Sequence, residues 1–322
     1  MPQHLVRHLT RFTYNAPVRE SVMELRMQPL GDQRQRCLRF AVSVSPRARI
    51  FAYRDHLGNA VHYFDLPGRH NRLDITAEAA VELVPCAALP DKLPESSWDE
   101  LDALAGDGRW DDWLMPSRYA QETPALREFA GAIRLDRRDD PLTVLRDLTT
   151  TLHKNFEYKP QSTQVDSPID EALKTRAGVC QDFTHIMTSL VRGLGIPARY
   201  VSGYLVPREG AERERSENAT HAWVEAYLPP AGWVGFDPTN NAVGCERHIA
   251  VAVGRDYDDV PPARGVFKGE AGSELGVAVS ITRPDAPIPA QDLVPTITWI
   301  APARPTEHRL SADFLQQQQQ QQ

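Results

Sequence analysis

Three residues of this chain could do chemistry together: the thiol of Cys180, the imidazole of His221 and the carboxylate of Asp237. Cys180 follows Gly178-Val179 and precedes a stretch in which Phe183, Met187, Leu190 and Leu194 recur at three- and four-residue spacing. That period predicts a helix beginning near Val179 and stopping at Gly195 and Pro197. A thiol at a helix N-terminus meets the positive end of the dipole and unpaired backbone N–H groups, both of which favour the thiolate. The competing reading is a small buried core residue, which most free cysteines are. Asp182 works against activation, because a nearby carboxylate disfavours a second negative charge.

A cysteine nucleophile needs a base, and the base needs an orienting group. His221 opens the strand-like run HAWVEAYL and Asp237 ends the run GWVGFDPT, with Pro229-Pro230-Ala231-Gly232 as the turn between them. A hairpin of this kind puts the two side chains on adjacent strands. The helix bearing Cys180 can pack across that sheet with its N-terminus towards His221. Asp237 would then hold one imidazole nitrogen and fix the tautomer while the other faces the sulfur.

The blocks GVCQDFTHIMTSLVRGLGIPARYVSGYL and THAWVEAYLPPAGWVGFDPTN, in this order and at this spacing, resemble the bacterial transglutaminase-like family. That family belongs to the superfamily of transglutaminases, papain-like peptidases and peptide N-glycanases. The likeness is strong over about residues 150–260. Residues 1–85, with LTRFTYNAPV and YRDHLGNAVHYF, also resemble the β-rich region that precedes the core in this family. The resemblance implies Cys180 as nucleophile, His221 as base and Asp237 as orienting carboxylate.

One oxyanion donor is expected to be the backbone N–H of Cys180. Related enzymes often supply the second from a side chain upstream of the cysteine. Tyr158, Gln161 and Gln164 are candidates, Tyr158 foremost, with plain packing the alternative. Trp223 and Trp233, on the strands flanking the site, could shape a substrate cleft, although tryptophan on a strand is more often core. His185 lies five residues after Cys180, off its helical face, and reads as structural. Asn240 and Asn241 are explained by turn chemistry. No metal or other cofactor is expected. Cys-x4-His is poor zinc spacing, and GDGRWDDW and DRRDDP do not match a calcium loop.

The elements that must carry these residues change along the chain. Leu38, Phe40, Val42 and Val44 alternate with polar or small neighbours, as do Leu73, Ile75, Ala77, Ala79, Val81 and Leu83. Period two predicts strands with one buried face. Gly58-Asn59, between FAYRDHL and AVHYFDL, predicts a hairpin. Several short strands of this kind suggest a sandwich- or barrel-like domain. Residues 1–90 hold 12 basic against 8 acidic residues, and 91–120 hold 3 against 8, with Trp98, Trp110 and Trp113. Helical period begins near 121, with Pro141 suited to a first turn after Asp139 or Asp140. GVAVSIT reads as one more strand. Residues 283–322 hold six of the 26 prolines and end in seven glutamines, a composition expected to be extended and poorly ordered.

The expected architecture is α+β. A β-sandwich-like N-terminal domain (1–87) and an acidic linker (88–120) lead to a papain-like transglutaminase core of helices on an antiparallel sheet (121–285), then a Pro-rich and poly-Gln tail (286–322). The 322 residues carry 41% apolar and 25% charged residues and a net charge of −7. The acidic balance argues against nucleic-acid binding. No run is long and apolar enough to span a membrane. No secretory signal is read at the N-terminus. Cys37, Cys86, Cys180 and Cys245 are too few and too scattered for a disulfide framework, so a cytoplasmic location is expected. The expected function is thiol-dependent acyl transfer on a peptide or protein substrate, as a cysteine peptidase or amidase. The alternatives are protein-glutamine transglutamination and a non-catalytic binding module on the same fold.

Overall fold

Period-two patterning near the N-terminus becomes two very long strands rather than several short ones. The computed structural model describes residues 1–85, 88–160, 162–208, 220–244 and 246–284. Cys86, Gln161, Cys245 and the tail from residue 285 lie outside them. Strand β1 (Gln3–Leu25) pairs along its whole length with β4 (Ala60–Leu83), while β2 (Gln35–Ser45) and β3 (Phe51–Arg54) pair with successive halves of the far edge of β4. Register shifts between Thr13 and Val18 and between Val18 and Glu20 let β1 bend without ending. Both halves of the bent sheet feed one apolar core that includes Phe12, Val18, Met23, Leu25, Phe64, Leu73 and Ile75. This is what makes the region sandwich-like. The Gly58-Asn59 hairpin forms, with Gly58 at a φ of 86°. Leu38 departs from its expected inward position. A bulge between Cys37 and Arg39 turns it out, and it is 51% exposed.

The chain then crosses to the second layer through α1 (Ser97–Ala105) and α2 (Asp111–Leu114). Trp98 donates from Nε1 to the Asp139 carbonyl, and Trp110 packs on Tyr227 and Trp233. Next come α3 (Pro124–Ala132) and α4 (Pro141–Asn155). Asp140 caps α4 by accepting from the backbone N–H groups of Leu142 and Thr143, and Pro141 occupies the first turn. A parallel pair, β5 (Glu157–Tyr158) and β6 (Ala177–Gly178), brackets α5 (Ile169–Thr175) and leads into α6 (Cys180–Gly193).

A five-stranded antiparallel sheet follows. Its members are β7 (Ala198–Leu205), β8 (Thr220–Leu228), β9 (Gly232–Asp237), β10 (Ala242–Val243) and β11 (His248–Gly254), in the order β10-β9-β8-β7-β11. Phe183, Ile186, Met187, Leu190 and Val191 of α6 share one core with Val224, Ala226 and Leu228 of β8. Each fully buried Val, Leu, Ile, Phe or Met among them contributes about 1.5–3 kcal/mol. Gly203 is required where β7 meets β11, since a Cβ there would stand 2.1 Å from the Ile249 carbonyl oxygen and 2.8 Å from the Trp223 ring.

The stretch 121–285 does not close on itself. Strands β12 (Ala263–Phe267) and β13 (Ser273–Thr282) return to pair with β1, so the end of the expected core completes the N-terminal sheet. They cover an edge of β1 that would otherwise expose a row of backbone donors and acceptors. The N-terminal sheet reciprocates at β11. The Gln35 side chain donates to the Ala250 carbonyl and accepts from the Ala250 N–H, and Asn59 does the same at Val253. No described helix is long and apolar enough to cross a membrane.

Candidate active site

Helix α6 is buried around nearly its whole circumference, although half its residues are polar. Most of those groups find partners, the Thr188 hydroxyl and Gln181 Oε1 being exceptions among the described residues. Thr184 donates to the Cys180 carbonyl and Ser189 to the His185 carbonyl. The Arg192 guanidinium donates to the carbonyls of Trp113, Met115, Ala198 and Arg255. At the N-terminus Asp182 accepts from the backbone N–H of Val179 at 2.8 Å and from the Thr163 hydroxyl at 2.6 Å. Gly178 leaves room for this carboxylate, which a Cβ would meet at 2.8 Å. Burial raises the Asp182 carboxyl to about 6, against its hydrogen bonds. This residue, read from sequence as a hindrance to the thiol, is therefore the cap that fixes where α6 starts.

That start places Cys180 in the first turn, in side-chain hydrogen-bond contact with His221. The thiol is 1% exposed and clusters with Tyr119, Val165, Tyr200, Ala222 and Tyr257. His221 is the second residue of β8, and its Nε2 lies 2.8 Å from Oδ2 of Asp237 at the end of β9. The hairpin register, Val224 opposite Phe236 and Leu228 opposite Gly232, brings the two side chains together. Burial alone would push the His221 imidazole down, but the Asp237 charge and hydrogen bond, with Cys180 beside it, raise it to about 10. Burial would raise the Asp237 carboxyl. The facing imidazoles and their hydrogen bonds hold it well below the usual carboxylate range. A protonated imidazole between a carboxylate and a thiol is the geometry of an activated nucleophile.

Asp237 has more partners than the sequence suggested. Its Oδ1 accepts from the backbone N–H groups of Thr239 and Asn240, and its Oδ2 accepts from Asn240 Nδ2 at 2.8 Å. Asn240, read as a turn residue, thus also touches the site. His248 Nε2 is a further 2.8 Å from the same Oδ2. His248 was missed, although it opens the run HIAVAV much as His221 opens HAWVEAYL. His221, Asp237 and His248 offer three ligand atoms within 4.8 Å of one another, a group that could hold a metal ion, but direct hydrogen bonds fit their spacing better than zinc does. Zinc with bonds of about 2.0 Å would hold tetrahedral ligand atoms about 3.3 Å apart, wider than these direct 2.8 Å contacts.

Tyr158 lies opposite Gly178 in the β5–β6 pair, two residues before Cys180. Burial and the nearby Cys180 raise its phenol far above the ordinary range. Gln164 is exposed, with its backbone N–H on Ser167. Trp223 is buried behind the site, its ring centroid 4.8 Å from that of His248 and 6.2 Å from that of His221. Trp233 is not at the site. It pairs with Tyr227, six residues along β8 from His221, which is about 20 Å at 3.3 Å per residue. There it packs in a cluster with Trp110, Trp113 and Tyr227, under the Arg199 guanidinium. His185 stacks on Tyr119, its Nε2 accepts from the Tyr257 N–H, and burial lowers it to about 4.

A bent β-domain joined to helices on an antiparallel sheet, with a cysteine at a buried helix start, defines the papain-like, transglutaminase-like class of folds. The chain belongs to the transglutaminase-like superfamily. Residues 130–238 match that superfamily and residues 5–82 match the bacterial transglutaminase-like N-terminal region. An uncharacterized protein of Mycobacterium leprae is 35% identical over 86% of this chain and 98% of its own length. A protein-glutamine gamma-glutamyltransferase of Pseudomonas aeruginosa is 32% identical over 47% of this chain, but over only 22% of its own length. A solved structure of a candidate cysteine protease from Cytophaga hutchinsonii superposes with a TM-score of 0.69. It covers 89% of this chain and 92% of its own at 22% identity, a likeness of fold.

Proposed function

We propose that this protein is a thiol-dependent acyl-transfer enzyme acting on amide or peptide bonds of a peptide or protein substrate, as a peptidase or amidase. The observation that carries this reading is the unbroken chain from the Asp237 carboxylate through His221 to the Cys180 thiol. In the proposed reaction the Cys180 thiolate, paired with the protonated His221, attacks the amide carbonyl. His221, held protonated by Asp237, gives its proton to the departing amine, leaving a thioester on Cys180. Water then attacks the thioester with His221 as base, releasing the acid and restoring the pair of Cys180 thiolate and protonated His221. The Cys180 backbone N–H and the Tyr158 hydroxyl are the proposed oxyanion donors. Because the thiol is enclosed, the residues over it must part before substrate can enter, a gating step.

Resolution of the thioester by an amine is the second reading. It is favoured by the likeness to the Pseudomonas aeruginosa protein-glutamine gamma-glutamyltransferase. Incubating casein with the protein and a fluorescent alkylamine distinguishes the two outcomes. The first reading expects new amino termini or released ammonia, little amine incorporation, and loss of all product in Cys180→Ala. Efficient amine incorporation would replace it by the second. Equal product from wild type and Cys180→Ala would remove both.

A further inference from the structure

Asp237 is reached by two imidazoles, and the mechanism above uses only one. His248 Nε2 stands 2.8 Å from Oδ2, the same oxygen and the same distance as His221 Nε2. The two rings differ in their relation to the thiol and in their protonation. His221 contacts the thiol. His248 packs edge-on against Trp223, and its Nδ1 is buried without a partner among the described residues. Burial lowers the His248 imidazole, with the neighbouring His221 and Arg247 charges acting the same way against Asp237. A neutral ring whose Nε2 carries the proton satisfies both facts. It gives Asp237 a hydrogen bond and leaves the Nδ1 lone pair without a donor among the described residues.

His248 is also the first residue of β11, the strand that the N-terminal sheet grips most closely. Beyond its partner β7, the outer edge of β11 is held at two points by primary amides. Gln35 donates to and accepts from the backbone of Ala250, and Asn59 does the same at Val253, all four contacts at 2.7–2.8 Å. The Leu30 N–H adds a third contact, to the Ala250 carbonyl. These grips straddle a register shift between Ala250 and Ala252, where an edge strand could otherwise slip. A one-residue slip would carry His248 away from Asp237.

We propose that His248 is a positioning residue for Asp237, and that the N-terminal sheet, through Gln35 and Asn59 on β11, sets that position. The proposal rests on the catalytic reading of Cys180, His221 and Asp237, and it gives the N-terminal region a part in the site. Asp237 on β9, His221 on β8, Arg247 beside His248, and Glu225, Arg34 and Glu246 around the small cavity against its outer face are the charged groups that bear on it.

The test has two arms, neither of which needs the natural substrate. Nitrogen-15 NMR of histidine-labelled wild-type protein should find His248 neutral at pH 7, with the proton on Nε2. A proton on Nδ1 instead would overturn the proposal, because Nε2 could then give nothing to Asp237. The second arm is the rate of Cys180 alkylation by iodoacetamide across pH 5–9. A misplaced carboxylate should slow His248→Leu about tenfold at pH 6.5, while His248→Gln, which keeps an N–H near the Nε2 position, should stay within about threefold of wild type. The Gln35→Leu/Asn59→Leu double variant should slow in the same direction without any change at the site itself. Wild-type rates in both His248→Leu and the double variant, with Asp237→Asn slow, would overturn this proposal alone. A wild-type rate in Asp237→Asn would instead remove the catalytic reading beneath it. If circular dichroism shows that His248→Leu does not fold, the wild-type protonation and the double variant decide the matter.

Discussion

His8 in the N-terminal sheet and His221 in the core sheet are both fully enclosed, yet they are driven in opposite directions. His8 hydrogen-bonds to the Tyr204 and Thr10 hydroxyls and faces no carboxylate, so burial alone lowers it to about 4. His221 faces Asp237 and is raised to about 10. Burial removes water from both rings, and the neighbour then decides which protonation state survives. The two sheets differ in the same way. Strands β1 and β4 alternate buried and open residues and keep most of their charge in water. Strands β8 and β11 are covered on both faces, and every charge on them is answered by a specific partner.

The comparison breaks most completely at Asp237. Asp237→Asn removes the charge and favours the wrong imidazole tautomer, which should reduce turnover by about 10⁴, as the equivalent change does in a serine triad. His221 should then titrate below its ordinary value, as His8 does. Steady-state rates on any accepted acyl substrate, with circular dichroism as fold control, check this.

Glu225 sharpens the comparison through stability rather than rate. It is buried in β8 and paired with Arg34 from the N-terminal layer and with Arg199 from β7. Burial would raise its carboxyl, and the two guanidiniums lower it instead. Glu225→Ala leaves both arginines facing a gap and should cost about 3–5 kcal/mol in urea unfolding.

The smallest effect is the pH dependence of stability, and its sign differs between the two sheets. His8 is depressed when folded, so its contribution is present above pH 6.5 and lost as pH falls towards about 4. The full shift is worth at most about 3 kcal/mol. His221 is raised when folded, so its contribution is complete below pH 6.5 and lost as pH rises towards about 10. Urea unfolding of wild type and His8→Gln between pH 4 and 7 should show a steeper acid loss in wild type.

Local patterns made much of this legible. The α6 start, the Asp140 cap, the Gly58 turn and the β8–β9 hairpin each follow from residues adjacent in sequence. What escaped depends on distant pairing. Nothing near Ala263–Thr282 says that it returns to β1, because edge pairing is decided by which edge is open. Leu38 keeps its alternation in sequence and loses it to a bulge. Trp233 lies near His221 in sequence but at the other end of the hairpin, since a strand separates residues by length. Asn240 and His248 converge on Asp237 from a turn and from a strand beyond the hairpin, and although His248 opens an apolar run as His221 does, nothing local says that its strand reaches Asp237.

The central claim is that Asp237 keeps His221 charged beside Cys180, and a residue-resolved titration tests it most directly. Histidine side-chain resonances would be followed from pH 4 to 11 in wild type, with assignments from His8→Gln and His221→Gln. The account predicts His221 titrating near 10 and His8 near 4 in the same folded protein. A His221 titration at or below 6.5 would mean that the carboxylate does not hold its proton, and would contradict the account.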